Sequence, residues 1–189
     1  MTSLVDRYLL YRIRALRDPE AFARLYDKYV SQIYRFVLLK LPSKEDAEDL
    51  TSETFLKSWR YLQENREVTE FRGLLYRIAR NAIVDWYRAR ATSPSGVSLT
   101  VTIEEGSTSS IEQDVSDTGK GRTLMEARAD LSLVMDKLGR LKDDYRDILT
   151  LRLVDGLSFP VIAEIMEKTP GAVRVLYHRA KKALEALDS

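Results

Sequence analysis

Apolar positions recur along this chain at helical spacing, in one block after another. Residues 4–17 (LVDRYLLYRIRALR) form a short amphipathic block. From 20 to 41, Phe22, Leu25, Tyr26, Tyr29, Val30, Ile33 and Val37 keep the period until Pro42 ends it. Ser43 reads as the N-cap of a helix from Lys44 to about Leu62, with Asp46 as the acid three residues on. Ala47, Leu50, Phe55, Trp59 and Leu62 face inward on that helix. A polar loop (QENREVTE, 63–70) precedes the most regular block, Phe71 to Arg88, where Phe71, Leu74, Leu75, Ile78, Ala79, Ala82, Ile83 and Trp86 fill a wide apolar face. Leu124–Leu138 and Asp143–Val154 are two further helical blocks, the second stopped by Gly156. No strand period of any length appears, so the fold class expected is all-α.

The stretch Leu157 to Leu184 predicts two helices joined by a tight turn. Ser158 and Pro160 open the first, and Val161, Ile162, Ile165 and Met166 form its apolar stripe up to a stop near Glu167. Thr169 caps the second, Pro170 suits its first position, and Val173, Leu176, Tyr177, Ala180 and Leu184 make one buried face. The opposite face carries Arg174, Val175, His178, Arg179, Lys181 and Lys182, with no acid from Thr169 to Ala183. Such a face suits the major groove of DNA, which admits one helix reading bases from its N-terminal end, near Thr169 and Gly171. An ordinary helical hairpin with a basic solvated face is the alternative.

Between Ala91 and Arg122 the composition turns to Ser, Thr and Gly with a net acidic balance, which reads as a flexible linker. A coil of that length has an r.m.s. span of roughly 30 Å and a contour on the order of 100 Å, enough to let the flanking parts separate. VSLTVTI within it is too short to stand as a strand alone. The expected architecture is therefore two small helical modules, 1–90 and 123–189, joined by 91–122, the second a four-helix helix-turn-helix domain. Counting Lys and Arg against Asp and Glu gives 17 and 13 over 1–90, 2 and 5 over 91–122, and 11 and 11 over 123–189. Charge is thus sorted by segment and by face, and the overall net of +1 says little about partners. With Cys 0 and His 1 there is no thiolate or histidine metal set, and no apolar run is long enough for a membrane span. The charged N-terminus has no signal-peptide pattern, so a cytoplasmic protein without membrane insertion is expected.

Two further faces suggest contacts. On the helix after Ser43, Asp46, Asp49, Glu53 and Lys57 make an outer stripe extended by Glu45 and Glu48. The helix dipole explains carboxylates in the first turn, but Glu53 lies beyond its reach, and docking of a basic partner accounts for the whole stripe. On the helix from Phe71, Tyr76, Arg77, Arg80, Asn81, Asp85, Tyr87 and Arg88 interleave cations, rings and an amide. Guanidinium groups meet phosphates and rings stack on bases at ~1–3 kcal/mol each, which suits a single strand; solvated side chains leaning over a core edge are the alternative. A lone helix-turn-helix reads three or four base pairs, whereas picking one genomic site needs on the order of 8 kcal/mol, so a second reader is required. No heptad seam for a dimer is present, and the face from Arg77 to Arg88 is the candidate.

Residues 20–90 and 124–187 together resemble the extracytoplasmic-function, or group IV, sigma factors of bacterial RNA polymerase. DAEDLTSETFLKSW (Asp46–Trp59) is similar to the family's polymerase-docking segment, FRGLLYRIARNAIVDWYR (Phe71–Arg88) to its minus-10 segment, and Leu149–Leu184 to its minus-35 segment. The resemblance implies that Asp46, Asp49, Thr51, Ser52 and Glu53 meet the clamp helices of the β′ subunit of core RNA polymerase. It implies that Asn65, Arg66, Phe71 and Arg72 surround a base flipped from the non-template strand, with Tyr76, Arg77, Arg80, Asn81 and Arg88 along the strand path. Thr169, Gly171, Arg174, Val175, His178, Arg179, Lys181 and Lys182 would then face the minus-35 duplex of promoter DNA. An anti-sigma factor is a further implied partner. No catalytic residue, metal, cofactor or small-molecule substrate is implied; a stand-alone helix-turn-helix regulator and a Mg²⁺-dependent hydrolase using Asp46, Asp49 and Glu53 are the competing readings.

Overall fold

The computed structural model describes residues 4–64, 67, 68, 70–92 and 137–187. Asn65, Arg66, the linker from Ser93 onward and most of the helix expected over Leu124–Leu138 lie outside them. Among the described residues every regular element is helical. The N-terminal module consists of α1 (Leu4–Leu16), α2 (Pro19–Leu38), α3 (Lys44–Gln63) and α4 (Phe71–Thr92). Ala91 and Thr92, expected to open the linker, instead extend α4 by a further turn.

Local chemistry sets each boundary. Asp18 caps α2, accepting from the N–H groups of Glu20 (2.9 Å) and Ala21 (3.2 Å) with Pro19 at the first position, a start that the hydrophobic period alone did not mark. Ser43 caps α3 by accepting from Asp46 N–H at 3.1 Å, and its hydroxyl donates to Asp46 Oδ2 at 2.6 Å. Leu25, Ile33, Phe36 and Val37 of α2 are buried against Ala47, Leu50, Phe55 and Leu62 of α3 and Phe71, Leu75 and Ala79 of α4. Phe22 sits edge-on to Trp59 at 4.9 Å and to Phe71 at 6.5 Å, and Tyr29 packs on Phe71 at 5.9 Å. Three polar side chains buried on α3 are satisfied within the helix: Thr51 donates to Ala47 O, Thr54 to Leu50 O and Ser58 to Phe55 O, at 2.6–2.8 Å.

The C-terminal module has α5 (Asp143–Leu149), which widens into a π-helical turn over Thr150–Val154, then α6 (Phe159–Met166) and α7 (Pro170–Glu185). Gly156 takes φ +65° and ends the wide turn as expected of a stop. Glu167 closes α6 in the left-handed region at φ 54°, and Thr169 accepts from Ala172 N–H at 3.2 Å to open α7. The hairpin read from the sequence is thus a helix-turn-helix.

The modules are packed together. α6 lies on α4, with Val161 against Gly73. Arg146 of α5 donates to the carbonyls of Leu138, Gly139 and Leu141 in its own module, and to Leu39 O at 3.0 Å in the other. Length alone would let the linker separate them, yet the contacts gather them into one body.

Candidate nucleic-acid interface

α7 is held by few side chains on its inner side: Val173 and Ala180 are fully buried, and Leu176, Tyr177, Ala183 and Leu184 are packed at the core's edge. Tyr177 meets Phe159 of α6 edge-on at 5.6 Å. Arg174, Val175, His178, Arg179, Lys181 and Lys182 are all exposed on the outer side, as expected. Gly171, at the exposed N-terminal end, has open space where a Cβ would stand. Thr169 spends its hydroxyl on the cap, which fixes the first turn that a groove would receive. Lys181 is 3.7 Å from Glu185, an exposed pair of little energetic weight that leaves the lysine available.

On α3 the expected acidic stripe divides. Asp49, Ser52 and Glu53 are exposed together, with Glu45 and Glu48 beside them. Asp46 is instead a staple: it takes Arg90 Nη2 at 3.2 Å and Trp86 Nε1 at 3.4 Å from the end of α4. Thr51 is buried and serves the helix. Both corrections have the same cause, because a first-turn acid and a residue one position after Leu50 turn toward α4 and the core. Leu56, not singled out from the sequence, stands 58% exposed one turn beyond Ser52 and Glu53. It adjoins Phe55 in sequence, so it reads as core until the helix is turned. Leu56 thus places an exposed apolar side chain at the end of the acidic face, where Glu53 pairs with Lys57 at 2.8 Å, and an apolar centre with a polar rim is the usual anatomy of a docking face.

On α4 the expected strand face also divides. Asn81 and Arg88 are exposed, Arg88 beside Asp85 at 3.6 Å, and Arg77 is half-buried. Phe71 is fully buried among Phe22 and Tyr29 and belongs to the core. Tyr76 is 0% exposed, against Phe36 at 5.1 Å. Burial, and then the neighbouring Asp155 carboxylate, raise its phenol above the ordinary range, so it stays protonated. Arg80 Nε is 3.3 Å from Asp147 Oδ2, and Arg72 donates to Asp155 O. These contacts come from the C-terminal module, which no hydrophobic period could place there.

Among the described residues no group of three His, Asp or Glu is placed to hold a metal, and no helix is long and apolar enough to cross a membrane. Residues 25–92 match the Sigma-70 region 2 family and residues 131–184 match Sigma-70, region 4. The chain is 33% identical over 172 residues to the ECF RNA polymerase sigma factor BldN of Streptomyces coelicolor, covering 90% of this chain and 61% of that protein's length. It is 32% identical over 171 residues to SigW of Bacillus subtilis, covering 88% of each chain, and 30% identical over 183 residues to the sigma-E factor of Escherichia coli K12, covering 96% and 93%. Among solved structures, CnrH in complex with the cytosolic domain of CnrY aligns with a TM-score of 0.66 at 23% identity, over 97% of this chain and 96% of that one. The sigma factor RpoE from Bartonella quintana, in complex with NepR, aligns with 0.64 at 22%, over 88% and 95%. The two matched regions stand in the order and on the helices that carry the basic and acidic faces described above, and the chain belongs to the extracytoplasmic-function sigma factors, initiation factors that direct RNA polymerase to promoters.

Proposed function

We propose that this chain docks on the β′ clamp helices of core RNA polymerase through Asp49, Ser52 and Glu53 around Leu56. We further propose that it reads the minus-35 duplex with α7 and takes the minus-10 non-template strand along α4. The observation that carries the reading is the division of charge between helices of one chain. An acid-free exposed face on α7 suits DNA, and an exposed acidic face on α3 suits a basic protein surface. Residues 1–90 would serve docking and the minus-10 element, 123–189 the minus-35 element, and 91–122 the span between them. On α7, Arg174, Val175, His178 and Arg179 would approach base edges, with Lys181 and Lys182 on phosphates. Along α4, Arg72, Arg77, Arg80, Asn81 and Arg88 would follow the strand, with Asn65 and Arg66 near its flipped base. An anti-sigma factor is the proposed regulator, and the site of action is the cytoplasm. Sigma factors select and position without turnover of their own, and no enzymatic step is assigned.

The test is transcription in vitro with core polymerase across a genomic promoter pool, with and without the chain, followed by sequencing of RNA 5′ ends. New starts sharing two short upstream motifs at fixed spacing are expected. Absence of new starts, with direct binding of the purified chain to duplex DNA, would replace this reading by a stand-alone regulator.

A further inference from the structure

The function proposed above leaves the amphipathic block at residues 4–17 without a role. α1 packs its inner side, Leu9, Leu10 and Ile13, on α2 and α3. Its outer side is apolar as well. Leu4, Val5, Tyr8, Tyr11 and Leu16 are each 59–80% exposed, half of the ten large exposed hydrophobic side chains among the described residues. Such crowding on one helix marks an interaction surface, whereas singly scattered exposed side chains need no account. Leu4, Tyr8, Tyr11 and Ala15 follow one another at i, i+4, i+7 and i+11 and form a continuous stripe, which Val5 and Leu16 widen.

Charge around the stripe has one sign. Arg7 and Arg14 run along one edge, and Arg12, which pairs with Asp18 and lies 5.9 Å from the Tyr8 ring, along the other. The sole acid of residues 4–17, Asp6, is buried, where it accepts from Lys28 Nζ and from the Tyr29 hydroxyl, both at 2.6 Å. The exposed side of α1 therefore carries no carboxylate to oppose an anion.

We infer that α1 rests on an anionic lipid surface, with the stripe sunk to the level where headgroups meet acyl chains and the arginines on lipid phosphates. A helix with aliphatic ends, amphipathic rings at mid-length and basic edges suits that boundary. The arrangement favours lipid over other anions. A strand-binding face interleaves cations with rings; here the cations stand at the edges, and the aliphatic side chains at both ends offer a base no ring to stack on. The stripe is a convex ridge, so a protein partner would have to supply a groove with acidic rims, and a second copy would bring arginines against arginines. A lipid surface needs no matching shape. Contact is peripheral, because the inner side of α1 stays in the core. The inference stands independently of the promoter contacts proposed above.

The full chain is sedimented with vesicles of phosphatidylcholine alone and of phosphatidylcholine mixed with phosphatidylglycerol. Expected are binding to the mixed vesicles only, weakening as salt is raised, and a loss of roughly tenfold or more in Tyr8→Ser with Tyr11→Ser. Both rings are exposed, so that variant should keep wild-type circular dichroism and wild-type initiation with core polymerase. Arg7→Glu, a second exposed change on α1, should lower vesicle binding without touching the core. The basic face of α7 also attracts anions, so Arg174→Ala with Arg179→Ala is measured beside them and should retain most of the binding. Failure of the wild-type chain to bind the mixed vesicles overturns the inference. Binding that survives both α1 changes overturns it as well, as does binding lost with the α7 arginines instead. Capture of a single-stranded oligonucleotide through Tyr8 and Tyr11, with no vesicle binding, would replace the lipid reading by a strand platform.

Discussion

Single residues on α7 have separable roles because some are spent on folding and others face solvent. Arg174→Ala and Arg179→Ala remove exposed guanidinium groups without opening the core. Each is expected to weaken minus-35 recognition by ~1–3 kcal/mol where it reads a guanine, and less where it meets a phosphate. Binding of holoenzyme to promoters mutated at single upstream positions distinguishes the two, since loss of a base reader relaxes specificity at one position only. Asp18 tests a different quantity. Desolvation pulls its carboxyl upward, but the N–H groups of Ala21 and Glu20 and the Arg12 guanidinium outweigh that and hold it below the ordinary carboxylate range. A carboxyl lowered in the folded state adds stability that is complete above the unfolded value, near ~4, and is lost as pH falls through the folded value. Asp18→Asn keeps a capping oxygen but cannot titrate. The stability advantage of wild type over Asp18→Asn, measured by urea unfolding, is therefore expected at neutral pH and should shrink as the pH drops below ~4.

At the scale of the element, α3 does two jobs on two faces. Its inner face supplies Ala47, Leu50, Phe55 and Leu62 to the core, while Asp49, Ser52, Glu53 and Leu56 stay outside. Reversal of the outer charge by Asp49→Lys with Glu53→Lys should abolish core-polymerase binding while helicity and unfolding midpoint stay near wild type. Leu56→Ser should weaken binding at least tenfold on the same assay, about 1.4 kcal/mol, as expected for an apolar anchor within a polar rim. Full affinity in both variants would move the docking site off α3. The helix itself was legible from its cap and period. Its outer face was only partly so: Asp46 and Thr51 lie within the same acidic and polar run, yet one staples α4 and the other bonds Ala47 O. Periodicity gives the direction of a side chain about the helix axis, but which neighbour waits there is a tertiary fact.

For the whole molecule, Arg146 is the residue whose loss should be felt furthest. Its guanidinium donates to Leu138 O, Gly139 O and Leu141 O, and across the modules to Leu39 O. Hydrogen bonds from a charged donor are worth ~1.5–3 kcal/mol, and removal strands several carbonyls at once. Arg146→Ala should therefore lower the denaturant midpoint of the C-terminal module and also loosen its contact with α2. Tryptophan fluorescence, with both tryptophans at Trp59 and Trp86 in the N-terminal module, would report that module while circular dichroism reports the whole. Two transitions that move apart in the variant are expected, and a single unshifted transition would show that Arg146 is dispensable.

The sequence by itself determined the all-α class, the helix-turn-helix and its basic outer face. Those follow from local physics: side-chain period, caps at Ser43 and Thr169, the stop at Gly156, and the absence of acids over Thr169–Ala183. Order and spacing of the motifs carried the family, because each motif is local. Only the tertiary structure decided that α6 lies on α4, that Asp147 and Asp155 hold Arg80, Lys40, Arg35 and Arg72, and that Tyr76 and Phe71 are buried. These pairings join residues far apart in the chain. Each partner, read alone, is an ordinary surface charge or ring; its role depends on what the rest of the molecule brings to meet it.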